Sequence, residues 1–185
     1  MTETVATVEP IEFTCTENDL LDAQRLHHTL TLRGRRFLIR TAAIAVALAG
    51  VSMIVRQKAD AETLAYGLAF AAIYACVIVI AIVVTRLVTL PRAARRQFSQ
   101  QKEFRGPMKV GINPAHIAVT SKNGFSNTPT EDFLKWAENG KSILLYRSDR
   151  LFNLVPKRVV SDAFHRSLMA ELTRAGVPKA GFSKS

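Results

Sequence analysis

Two stretches of the chain run without charge for long enough to constrain the whole protein. Thr63 to Thr85 is twenty-three residues free of charged side chains. Thr41 to Val55 is fifteen, and Phe37-Leu38-Ile39 extends it across Arg40 to nineteen. An α-helix rises ~1.5 Å per residue and a bilayer core is ~30 Å thick, so about twenty residues span it. The second run meets that length directly. The first meets it if Arg40 turns its guanidinium back to the headgroups, as a long stem near a helix end can do. A buried hairpin in a soluble protein would need a covering layer larger than the remaining residues supply. The pattern therefore predicts two membrane-spanning helices, joined by the short loop 56–62 and hence antiparallel.

The flanks show different periods. Ile11 to Glu17 alternates apolar and polar residues, which predicts a half-buried strand. Asn18 follows as an N-cap, with Asp19 and Asp22 near the positive end of a helix that carries Leu20, Leu21, Ala23 and Leu26 and continues through Leu30. After the second run, Pro91 either kinks the emerging helix or starts a new one. From Gly106 onward, strands are predicted over 108–112, 116–120, 142–146 and 151–155, with a further run from Thr130 to Trp136 and turns at Lys122-Asn-Gly124 and Glu138-Asn-Gly140. Ser161 is an N-cap for a closing helix over Asp162–Arg174, with Phe164, Leu168 and Leu172 on one face and Gly176 as its stop. The expected fold is a membrane α-helical hairpin plus a small α+β cytoplasmic domain, an antiparallel sheet capped by the C-terminal helix. Its parts are an N-terminal strand and amphipathic helix (1–36), the hairpin (37–85), a basic juxtamembrane connector (86–105) and the sheet domain (106–185).

Charge supplies the orientation. Residues 1–40 hold five basic and six acidic side chains, whereas 86–105 hold six basic residues against Glu103 alone. Arg25, Arg33, Arg35, Arg36 and Arg40 precede the first run, and Arg86, Arg92, Arg95, Arg96 and Lys102 follow the second. The loop has Arg56 and Lys58 only. Lys and Arg are retained on the cytoplasmic side, which puts both termini inside and the loop outside. The mixed, locally patterned residues 1–32 do not suit a cleavable signal. Cys15 and Cys76 lack disulfide or metal spacing and are expected to be reduced.

Candidate chemistry is sparse. Small residues recur at spacing four, including Ala43/Ala47, Gly67/Ala71 and Ala71/Ala75, and let helix backbones approach closely in lipid. They pack the hairpin on itself or form a docking face for another transmembrane helix, from a second copy or a foreign peptide. Tyr74 needs a partner for its hydroxyl, for which a neighbouring helix carbonyl is expected. Arg92, Arg95 and Arg96 lie where anionic headgroups would be, and Lys157 and Arg158 are further headgroup contacts, though strand-end cations are more often simply solvated. Trp136 fits a core position better than a binding anchor. His27 and His28 project about 100° apart on a helix and cannot bite one metal together. No nucleophile elbow, phosphate loop or ligand cluster is present, so no catalytic, cofactor or metal residues are assigned, and no fold signature accompanies the charge to suggest nucleic acid.

The layout resembles the YcxB-like family, in which a short N-terminal strand and helix precede two spans and a C-terminal domain akin to bacterial pleckstrin-homology-like modules. The pieces that carry the resemblance are Ile11–Leu26, Asn113-Pro-Ala-His-Ile117, Trp136 and Leu154-Val-Pro-Lys-Arg158. After Trp136 this chain has Ala137-Glu-Asn where the family more often has an apolar residue. The resemblance implies a membrane-tethered module without established catalytic residues. Read with the spans, it leads to a non-enzymatic protein of the bacterial inner membrane, most concretely an immunity protein that protects its producer against a membrane-inserting toxin. The alternative is a binding or scaffolding module that engages a protein or anionic lipid at the cytoplasmic face.

Overall fold

The computed structural model describes residues 9–56, 61–101 and 106–180. Most of the expected loop 56–62, together with Lys102, lies outside the described residues. The chain divides into two compact units, one of residues 28–91 and one that joins residues 1–27 to 92–185. The N-terminal strand and the start of its helix thus belong with the sheets rather than forming a region of their own.

The sheet unit begins with β1 (Ile11–Thr14) and α1 (Glu17–Arg33). Its strands resume with β2 (Pro107–Asn113), β3 (His116–Ser121) and β4 (Gly124–Pro129), which with β1 form an antiparallel sheet in the order β1-β2-β3-β4. In this sheet β1 pairs directly with β2, Ile11 opposite Val110 and Phe13 opposite Met108, across more than ninety residues of intervening chain. A second antiparallel sheet contains β5 (Lys135–Glu138), β6 (Ser142–Tyr146) and β7 (Phe152–Pro156). Two sheets therefore stand where one was expected. The Thr130–Trp136 run resolves into a 3-10 turn (Thr130–Asp132) followed by β5, and Glu138 ends that strand instead of opening a turn.

The core draws Phe13, Val110, Ile112 and Ile117 from the first sheet, Trp136, Ile143, Leu145 and Val155 from the second, and Phe164, Leu168 and Leu172 from α5 (Asp162–Arg174). β6 is buried at all five positions. Ile143 and Leu145 belong to that core; the alternation of a strand points Leu144 and Tyr146 to the opposite face. On that face the His27 ring of α1 stands 5.7 Å from the Tyr146 ring and 5.5 Å from Phe152. A strand covered on both sides has no polar face to show, hence the unbroken apolar run of Ile143-Leu-Leu.

Capping explains the helix ends. Thr16, not Asn18, caps α1: its Oγ1 accepts from the Asp19 N–H at 3.2 Å while the Asp19 carboxylate accepts the Thr16 N–H at 2.8 Å. This reciprocal capping box stops β1 at Thr14, three residues short of the alternating pattern. Ser161 caps α5 by accepting from the Phe164 N–H. At the other end Val177 N–H bonds to the Leu172 carbonyl and Gly176 N–H to Thr173, a Schellman closure that requires the positive φ of 69° found at Gly176.

In the helical unit, α2 (Arg35–Arg56) and α3 (Ala61–Val84) pack against each other. Gly34 separates α1 from α2. α3 does not end at the expected connector. A π turn at Thr85–Thr89 carries it into α4 (Leu90–Gln100), and the Leu90 N–H bonds back to the Thr85 carbonyl. This wider turn takes up the missing N–H and ring bulk of Pro91, so the proline neither stops the helix nor begins a separate one. Ala65–Gln100 is accordingly one helix of 36 residues, long and apolar enough to cross a membrane. The other apolar stretch, Phe37–Leu48 in α2, is shorter.

Candidate functional site

The small residues named from the sequence are divided by their environment. Gly67 is buried and Ala71 half-buried within the helical unit, whereas Ala43, Ala47 and Ala75 are exposed. Around them the large apolar side chains of α3 are also exposed, among them Leu68, Phe70, Ile73, Val77 and Ile80. The packing that buries Gly67 is what a small residue permits, a close approach of backbones.

The basic residues divide in the same way. In α4 the buried face is set by Ala94, and Arg92, Arg95 and Arg96 are exposed. Arg95 is engaged, its Nε donating to Glu17 at 2.9 Å. Among the described residues Arg92 and Arg96, one helical turn apart, pair with no carboxylate.

Arg158 is an internal fastener. Its Nη2 donates to the Thr14 carbonyl at 2.8 Å and to Asp19 Oδ2 at 2.8 Å, with Nε 3.1 Å from Asp19 Oδ1. It thereby ties the β1–α1 junction to the segment after β7. Burial works against a charge on Asp19, but the bonds from Arg158 and Thr16 outweigh it and hold its pKa below the usual carboxylate range. Burial, with the Asp19 charge adding to it, pushes the neighbouring Cys15 thiol up to about 12, so this free cysteine stays protonated.

Lys157 points to a constellation that sequence reasoning missed. The Glu138 carboxylate accepts from Lys157 Nζ at 2.7 Å, from His165 Nε2 at 2.9 Å and from Lys179 Nζ at 2.9 Å. Partial burial opposes ionisation, yet these donors bring the Glu138 pKa down to about 2. Lys179 also lies over the Trp136 ring at 4.6 Å, and the segment that carries it closes the free edge of β5: Trp136 N–H donates to Pro178 and Ala180 N–H to Trp136. Glu138, Lys157, His165 and Lys179 come from one strand end, one turn, one helix and one tail, so no spacing announces them. The cluster is satisfied internally and works as a clasp.

Tyr146 and His27 form a third group, Nδ1 lying 3.0 Å from the hydroxyl. Burial pushes the tyrosine up to about 12. His28, one residue on, faces elsewhere, as the 100° step requires. No group of three or more His, Cys, Asp or Glu side chains could hold a metal ion among the described residues.

Within the helical unit a cleft of about 390 Å³ opens between the first turns of α2 and the last turns of α3. Phe37, Ile44, Ile78 and Ala81 supply apolar walls, and His28, Arg40 and Tyr74 supply polar groups. Residues at the start of one helix facing those at the end of the next show that α2 and α3 run antiparallel. Among the described residues the Tyr74 hydroxyl bonds to no helix carbonyl, contrary to expectation. Arg40 makes no ion pair among the described residues, and His28 Nδ1 is buried without a partner. Burial and the nearby Arg86 lower the His28 pKa, so the ring stays neutral. No family model, curated protein or solved structure matches the chain.

Proposed function

We propose that this chain is a non-enzymatic protein of the bacterial inner membrane, with α2 and α3 as a two-span hairpin and both termini in the cytoplasm, where the sheet unit acts as a tethered binding module. The observation that carries this reading is the helix Ala65–Gln100. Away from the face that packs on α2, its first part exposes large apolar side chains, and its last part, beyond the π turn, exposes Arg92, Arg95 and Arg96. Exposure of Leu68, Phe70, Ile73, Val77 and Ile80 to water would be costly, whereas lipid removes that cost. Arginines just beyond a span suit the anionic inner leaflet, each contributing ~1 kcal/mol. The 22 residues of α2 would rise about 33 Å, enough to span with Arg40 near its cytoplasmic end. Arg92 and Arg96 are better placed as headgroup contacts than Lys157 and Arg158, which already hold Glu138 and Asp19. The order of strands and closing helix supports reading the sheet unit as the YcxB-like module that the resemblance implies.

The test combines fractionation with topology. The full chain should stay with membranes through alkaline carbonate washing. A reporter active only in the cytoplasm should work after Ser185 and fail near Ala59. Release by carbonate would reject the spans, and an active reporter at Ala59 with an inactive one at Ser185 would reject the orientation.

Immunity against a membrane-inserting toxin is the narrower form of this function, and exposure of Ala43, Ala47 and Ala75 favours it. A protective wild type that loses protection with Ala75→Leu at normal abundance would support interception by the spans. Protection by an unrelated hairpin joined to the native sheet unit would reject it.

A further inference from the structure

We infer that the cleft between α2 and α3 is a binding site for one anionic phospholipid of the cytoplasmic leaflet, with its phosphate on Arg40 and an acyl chain along Ile44, Ile78 and Ala81. The inference rests on the membrane reading above and deepens it by naming the ligand class. Three observations converge on it.

First, the cleft has the size of a ligand site, about 390 Å³ within the ~300–1,000 Å³ common for small-molecule pockets, and its walls are mainly apolar. An open apolar groove along two helices suits a hydrocarbon chain and not a soluble metabolite. Second, the charge sits at one end. Arg40 lies five residues into α2, about 8 Å from its first residue at ~1.5 Å per residue, a depth close to the headgroups. Arg40 lines the cleft, and its guanidinium finds no carboxylate among the described residues. A planar fork without a protein partner beside an apolar groove is complementary to a phosphate that carries an acyl chain. Third, Tyr74 lies ten residues before the end of α3, about 15 Å along the axis and therefore deeper. Its hydroxyl has no hydrogen-bond partner among the described residues. In hydrocarbon an unsatisfied hydroxyl is costly, and a lipid ester carbonyl is an acceptor available at that depth. Charge at the mouth, a hydroxyl further in and apolar walls beyond match the order of groups along a phospholipid.

The experiment uses the full chain in vesicles of equal phosphatidylglycerol and phosphatidylcholine. Flotation with the vesicles comes first. Bound lipids are then counted per chain by mass spectrometry after mild detergent extraction. Wild type should retain phosphatidylglycerol over phosphatidylcholine by about fivefold or more, the ratio that ~1 kcal/mol of headgroup attraction gives. Arg40→Gln should bring that ratio close to one, and Arg40→Lys should keep most of it. Tyr74→Phe should weaken retention of both lipids. Arg33→Gln, exposed and outside the cleft, should change neither. Equal retention by wild type, unchanged selectivity in Arg40→Gln, or a second copy of the chain filling the groove in place of lipid would each overturn the site. Failure to float would instead reject the membrane reading on which it rests.

Discussion

Thr130 donates its hydroxyl to the carboxylate of Glu171 at 3.1 Å, joining the turn before β5 to the last turn of α5 inside the domain. Glu171 is only 5% exposed, and Arg174, one turn on, closes the other side with bonds of 2.6 and 2.9 Å. The Arg174 bonds hold the Glu171 pKa down against the effect of burial, helped by Thr130 and by the Ala115 backbone N–H. Removing one partner from a buried carboxylate leaves the other paying desolvation without return. Thr130→Val should destabilise the chain by about 1–2 kcal/mol. The single tryptophan, Trp136, reports the loss in denaturant unfolding. An unchanged midpoint would show that the bond adds nothing.

Acid should loosen the clasp at Glu138. Its pKa in the folded chain, about 2, lies below the ordinary 4.5, so the folded state binds the proton more weakly than the unfolded one. The stabilisation is therefore complete above about pH 4.5 and is lost as pH falls towards 2. Solvent around Lys179 and His165 screens the pairs, which leaves a contribution on the order of 2 kcal/mol. Wild type should lose stability more steeply than Glu138→Gln across that window. Parallel pH profiles for the two proteins would remove Glu138 as the origin.

Two turns should respond in opposite directions. Ala115 closes the β2–β3 hairpin after Pro114 with φ of 64°, a left-handed conformation that a side chain disfavours. Ala115→Gly relieves that strain and should stabilise by about 0.5 kcal/mol, since glycine gives back part of the gain as entropy of the unfolded chain. At Gly176 an added Cβ meets nothing within 4 Å, so only the backbone opposes it. Gly176→Ala should destabilise by about 1 kcal/mol. Thermal midpoints moving in the same direction for both variants would contradict the argument.

Phe164 is wholly buried where α5 meets the sheets. Phe164→Ala should cost about 3–5 kcal/mol, a large share of the stability of a domain this size. Loss of the cooperative Trp136 transition is the expected result, and a transition within a few degrees of wild type would place Phe164 outside the core.

Local pattern was sufficient for elements bounded by clear turns and caps. Ser142–Tyr146, the closing helix with its Ser161 cap and the stop at Gly176 follow from period, capping and a required φ, all encoded within a few residues. The apolar length of Thr63–Thr85 was equally plain. Gly124–Pro129 escaped notice because it is an edge strand: Phe125 is 68% exposed and the strand lacks a run of apolar positions to pack. Thr16 and Asn18 are both good caps by type, and only the geometry of Asp19 chooses between them. What needed the tertiary structure is contact between segments far apart in the chain. β1 finds β2 across the whole hairpin; Glu138 gathers hydrogen-bond donors from three later segments; Arg40 and Tyr74 line one cleft only because two helices run antiparallel. Side-chain type determines what each group can bond, but which groups become neighbours depends on chain closure, and no local period records it.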